Sequence, residues 1–147
     1  MLTPFLEYVA TLSAALFAGA ALYINVAEHP ARMGLETRLA ALEWAPSYHR
    51  ATWLQAPLAL LSLLSGVSVW LLGRGWGWMV GAVLVGGVVP FTFVVIMPTN
   101  NKLLTPGRDL ASAETRELLV HWGRLHAVRT VLSLAGAMIY LWLLLAP

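Results

Sequence analysis

Long apolar runs alternate with short polar stretches along this chain. Tyr8 to Ala27, Ala51 to Gly73, Gly75 to Asn101 and Thr130 to Pro147 contain no Asp, Glu, Lys or Arg. Each is close to the ~20 residues that carry a helix across a hydrocarbon core. Backbone polar groups in lipid must be satisfied within their own segment, which selects helices. The pattern predicts an all-α integral membrane protein with one membrane domain over residues 1–147. It is a four-transmembrane-helix bundle, with spans near 4–27, 47–73, 77–98 and 116–146.

The polar stretches refine this outline. "EHPARMGLETRLAALEWAPSYHR" sets Met33, Leu35, Leu39, Leu42 and Trp44 among charges, and predicts a short amphipathic interfacial helix between spans 1 and 2. "WAPSY" would then restart a helix with Ser47 near its cap. Gly86, Gly87 and Pro90 predict a kink in the third span. Ser112, followed by Glu114 and Glu117, is a start signal for the last helix.

Composition agrees with the membrane reading: 59% of residues are hydrophobic and 11% charged, against about 25% charged in soluble domains. The N-terminal run starts with Glu7 and no basic residue. It therefore reads as a retained span rather than a cleaved signal. With no cysteine, disulfides, thiolate metal sites and cysteine nucleophiles are excluded. Eight of the nine Lys/Arg flank the 28–50 and 98–129 segments, and only Arg74 lies on the other side. The positive-inside rule makes those loops cytoplasmic and both termini external, in a multi-pass protein of the cytoplasmic membrane. The formal charge of +2 thus speaks for topology, not for nucleic acid. The expected partner on this reading is the lipid bilayer, with a homo-oligomer left open.

All four histidines belong to the charge-rich end, as do Asn25, Gln55, Asn100 and Asn101. Polar groups at membrane depth are costly and mark function by default. Helical spacing puts Trp122, His126, Arg129, Thr130, Ser133 and Tyr140 on one face of the fourth span. Tyr48, Thr52, Gln55 and Ser62 form a stripe on the second, with His49 at its edge, and Asn25 and His29 end a small-residue face on the first. Turned inward, these faces gather His29, Gln55, Asn100 or Asn101, His126 and Arg129 in a polar pocket under an apolar shell. The blander alternatives are that the asparagine pair caps the third span, that His29-Pro30 merely ends the first, and that Arg129 snorkels to headgroups.

"EHPA" after the first span, "MPTNNKLL" after the third and "HWGRLHAVRT" opening the fourth resemble the anthrone-oxygenase-like family of small four-helix membrane proteins. The resemblance implies a transmembrane bundle. In the family's fungal polyketide members it implies oxidation of an anthrone to an anthraquinone by dioxygen, with no obvious cofactor, and hence a hydrophobic aromatic small molecule as the expected partner here. Its positions of interest here are His29, Asn100, Asn101, Trp122, His126 and Arg129. An anthrone has an acidic carbon between two rings, and its anion reacts readily with dioxygen. His126 or His29 would supply the base. Arg129 with an asparagine amide would stabilise the oxyanion, and Trp122, Trp53 and Tyr48 would wall the slot, with Gln55, Thr52 and Asn25 beside it.

Two other classes stand beside the oxygenase. No cofactor is expected, but haem or a metal held by His29, His126 and His49 would suit a helical bundle. Against it, the sequence has no CxxCH, HExxH or carboxylate–histidine helix pair. The other class is a non-catalytic assembly subunit whose polar stripe only joins helices.

Overall fold

The computed structural model describes residues 1–145; residue 146, the expected end of the fourth span, lies outside them. Four helices are long and apolar enough to cross a membrane: α1 (Leu2–Met33), α2 (Thr37–Leu71), α3 (Trp76–Leu103) and α4 (Ala113–Leu145). The chain is therefore an all-helical membrane bundle. α1 and α3 each pack against both α2 and α4, which closes the bundle as a ring with α1 and α3 at opposite corners.

The amphipathic stretch before Ser47 is helical, but it forms the first turns of α2 rather than an element of its own. Pro46 lacks the N–H that would close one helical hydrogen bond. Packing carries the helix through it, because Ala40, Ala41 and Trp44 are buried against Ile96, Leu103, Leu119 and Trp122. Ser47 consequently caps nothing. It lies inside α2, where its hydroxyl donates to Glu28 and accepts from Arg32. At the start of α4 the expected signal operates: the Thr115 backbone N–H donates to Ser112 Oγ at 3.2 Å.

Two wide turns interrupt the helical ladder near the charge-rich end. Ile24–Glu28 and Thr92–Ile96 are π-helical, closed by bonds from the His29 N–H to the Ile24 carbonyl and from the Met97 N–H to the Thr92 carbonyl. Each is followed two residues later by a proline, Pro30 and Pro98. A proline removes a donor from the ordinary ladder, and an inserted residue is a common local adjustment. Where a kink is expected in α3, the helix is interrupted at Gly87, between the segments Trp76–Gly86 and Val88–Phe91.

The opposite half of the bundle is tightly packed, and its central polar groups are small: Ser62 is fully buried and donates to the Ala10 carbonyl at 3.2 Å. Ala10, Ala14 and Ala18 of α1 meet Val69, Trp78, Val85, Ala137 and Tyr140. The Tyr140 ring stacks on Trp78 at 5.0 Å and lies directly over Gly66 and Gly81. At that end Arg74 donates to Glu7 at 2.6 Å, tying the α2–α3 turn to α1. Small residues on α1 let the helices approach closely there, leaving the other end wide enough for a site.

Candidate functional site

At the charge-rich end, side chains from α1, α2 and α4 form one buried polar network. His126 of α4 is 2% exposed. Its Nδ1 lies 2.7 Å from the Asn25 carbonyl oxygen. The same oxygen accepts from the Thr130 hydroxyl at 2.6 Å, while the Asn25 amide nitrogen donates to the Gly123 carbonyl at 3.1 Å. One turn further on, Arg129 donates to Gln55 Oε1 at 2.7 Å, and its guanidinium carbon sits 5.5 Å from the Phe17 ring centroid. Arg129 Nε and the Gln55 amide nitrogen are buried without partners among the described residues.

Aromatic rings enclose the network. Trp122 stacks on His126 at 4.9 Å, meets His29 at 5.2 Å and receives the edge of Trp44 at 5.8 Å; Trp44 in turn stacks on Tyr48 at 5.2 Å. Behind His29 lies a second polar cluster. Arg32 donates to Glu28, Glu43 and Ser47, and approaches His29 Nδ1 at 3.4 Å. Arg32 itself is buried, and breaking a buried ion pair is far costlier than removing a surface one.

Three spaces share Gln55 in their walls. A small cavity of about 10 Å³ is lined by Glu28, Tyr48, Trp122, His126, Arg129 and Gln55, among others. Through Gln55 and Arg129 it adjoins an apolar slot of about 90 Å³ between α2 and α3, walled by Phe17, Ala59, Val88, Val89, Phe93 and Met97. Through Gln55 and Glu28 it adjoins an open groove of about 670 Å³ between α1 and α2, whose rim carries Glu43 and Arg50. An imidazole, a guanidinium and an amide thus face one desolvated volume, with an apolar slot beside it. Such a site can remove a proton and hold the resulting anion.

The sequence profile of the anthrone oxygenase family matches residues 44–139. The chain belongs to the anthrone oxygenase family. An anthrone oxygenase of Pestalotiopsis fici is 35% identical over 117 residues, covering 69% of this chain and 82% of the relative. One from Claviceps purpurea is 25% identical over 143 residues, 88% of this chain and 82% of the relative. One from Aspergillus fumigatus is 41% identical over 70 residues, 46% of this chain and 44% of that protein. No solved structure matches the chain significantly.

Within this anthrone oxygenase family fold, the residues singled out from sequence divide. His126, Arg129, Gln55, Tyr48, Thr52 and Trp122 line the small cavity. Asn25 does not line it; both ends of its amide are engaged by His126, Thr130 and Gly123, so it holds the site rather than a ligand. His29 is buried against Trp122 and Arg32, behind the cavity wall. Asn100 is fully buried on the face that carries Ile96 and Leu103, with neither amide atom partnered among the described residues. Asn101 is exposed, its carbonyl accepting from the Thr105 hydroxyl. The pair is therefore split between interior and surface, because adjacent helical residues point about 100° apart. The same rotation turns Trp53 outward, 83% exposed, while its neighbour Thr52 faces the slot. His49 is exposed beside Tyr48, away from His29 and His126. Among the described residues, no three His, Asp or Glu side chains gather as a metal-binding set.

Sequence reasoning missed the cluster in which Glu28 and Glu43 pair with a buried Arg32. Its only local signal was the Glu28–Arg32 spacing of four, which places opposite charges on one helical face. Gly123 was missed as well, although it is what lets His29 seat against α4. A methyl group there would overlap His29 Nε2 and Cδ2. Gly123→Ala is therefore expected to displace His29 and destabilise the fold by about 1–3 kcal/mol, the usual cost of overpacking. Thermal unfolding in detergent checks this; an unchanged melting temperature would mean that His29 has somewhere else to go.

Proposed function

We propose that this protein is a membrane-embedded oxygenase that oxidises an anthrone- or quinol-like phenolic aromatic with dioxygen. The observation that carries the reading is the convergence of His126, Arg129 and Gln55 on one buried cavity beside an apolar slot open between α2 and α3. A flat aromatic dissolved in the bilayer would pass into that slot, past Phe93 at its mouth, with its oxygen toward Arg129. The larger groove suits the rings less well, because Glu28, Glu43 and Arg50 line it.

His126 takes the proton from the acidic ring carbon. The electron pair left behind delocalises onto the carbonyl oxygen, where Arg129 and the free Gln55 amide nitrogen stabilise the negative charge. Such donors, fixed in advance in a dry site, are worth much more than in water. The carbanion gives one electron to dioxygen, and the resulting pair combines to form a carbon–oxygen bond. The second ring-carbon hydrogen then passes as a proton to the outer peroxide oxygen while its electron pair forms the new carbonyl and the O–O bond breaks. The hydroxide released takes up the proton held by His126. One dioxygen is consumed per anthrone, giving one anthraquinone and one water. Trp122, Trp44 and Tyr48 exclude bulk water from the charged intermediate.

The test is oxygen uptake by the purified protein in detergent with an anthrone bearing phenolic hydroxyls. Uptake matched one to one by anthraquinone absorbance, and saturable in anthrone, is expected. A rate no faster than the spontaneous oxidation would overturn the reading, leaving the polar network a device for joining helices. We further propose that the 28–50 and 98–129 segments face the cytoplasm. Arg32 and Arg129 count for less in that assignment, since both are held inside the bundle.

A further inference from the structure

We infer that Asn25 is a positioning residue that locks His126 in the tautomer carrying its proton on Nδ1, so that Nε2 is the basic nitrogen. The inference rests on the proposed role of His126 as the base and names the atom that acts.

The assignment follows from hydrogen-bond bookkeeping around one amide. The Gly123 carbonyl can only accept, so the Asn25 atom 3.1 Å from it must be the NH2 group. With the amide reversed, two oxygens would face each other at that distance. The other Asn25 atom is therefore the carbonyl oxygen, which can only accept. Thr130 supplies one donor at 2.6 Å, and His126 Nδ1 lies 2.7 Å away on the same oxygen. A bare Nδ1 lone pair there would meet an oxygen lone pair in a buried site, where unpaired polar atoms are costly. Nδ1 must carry the hydrogen. In neutral imidazole the other nitrogen then holds the lone pair, because the partner of one nitrogen decides the state of the other. No protein group among the described residues hydrogen bonds to Nε2, and His126 lines the cavity shared with Gln55 and Arg129.

His29 lacks this arrangement. Its Nδ1 faces the Arg32 guanidinium, which can only donate, and its Nε2 edge is pressed against Gly123. The two buried histidines therefore play different parts: His29 belongs to the Arg32 cluster, and His126 alone has a nitrogen free at the cavity.

The tautomer is read directly by nitrogen NMR of the full chain labelled with 15N-histidine in detergent micelles at pH 8, with His126→Ala identifying the resonance. The expected wild-type ring is neutral with its proton on Nδ1. Asn25→Leu should move the proton to Nε2, which water favours. Asn25→Asp, with its outer oxygen protonated toward the Gly123 carbonyl, keeps an acceptor in place and should retain the Nδ1 proton. With an anthrone, Asn25→Leu should lower kcat roughly 10²-fold, the lower range for loss of a general base, with KM within about twofold. Asn25→Asp should recover most of that. A wild-type proton on Nε2, a doubly protonated ring, or an unchanged tautomer in Asn25→Leu would each overturn the inference. Should Asn25→Leu not fold, the wild-type and Asn25→Asp spectra decide it. The spectrum needs no substrate, so an Nδ1-protonated ring in a protein without oxygen uptake would sink the oxygenase reading and leave the lock standing.

Discussion

His126→Ala is expected to lower anthrone-dependent oxygen uptake by roughly 10²–10⁴-fold, the range for a positioned general base. No neighbour can take over the proton. His29 is turned toward Arg32 behind the Trp122 wall, and His49 is exposed beside Tyr48. Glu28 lines the small cavity but is held by Arg32 and Ser47. The fold should survive, because removing the imidazole forfeits one stacking contact with Trp122 and one hydrogen bond to Asn25. Oxygen electrode traces, beside circular dichroism on the same sample, separate lost chemistry from lost structure. Activity within a few-fold of wild type in a folded His126→Ala protein would move the base elsewhere.

Arg129→Met should separate activity from stability in the opposite way to an ordinary core mutation. Uptake is expected to fall about 10²–10³-fold, as when one fixed donor to a developing oxyanion is removed. Stability should hold or rise. Arg129 is a desolvated cation with no carboxylate paired to it among the described residues; its partners are the neutral Gln55 oxygen and the face of Phe17. Replacing a buried charge with an apolar side chain of similar volume is often neutral or stabilising by about 1–4 kcal/mol. Methionine would fill the space against Phe17 and leave only Gln55 short of a donor. A thermal melt and an oxygen-uptake assay of the same variant test both halves. A variant that is both fully active and less stable would mean that Arg129 serves the bundle and not the reaction.

The chain determined by itself that there would be four apolar helices, that Ser112 would open the last one, and that α3 would be interrupted near Gly86 and Gly87. These follow from local rules: hydrocarbon thickness sets the length of a charge-free run, and caps and prolines act within a turn of themselves. Helical periodicity also brought Gln55, Tyr48, Thr52, Trp122, His126 and Arg129 to one end of the bundle, since residues three and four apart share a face.

Only the tertiary structure decided what each of these groups touches. Periodicity gives the angle of a side chain round its own helix but not its partner on the next. It could not tell that Asn25 reaches across to Gly123 and His126, or that Arg32 turns inward onto Glu28 and Glu43. It placed Trp53 at the slot and left open which of Asn100 and Asn101 turns inward, whereas packing turned Trp53 to the outside and buried Asn100. It ended the amphipathic segment before Ser47, although contacts of Trp44 with residues of α3 and α4 carry α2 straight through Pro46. Hydropathy and caps are encoded over a few neighbouring residues. Hydrogen-bond direction and the tautomer of a buried histidine are settled between helices about a hundred residues apart in sequence, where only the closed bundle brings donor and acceptor together.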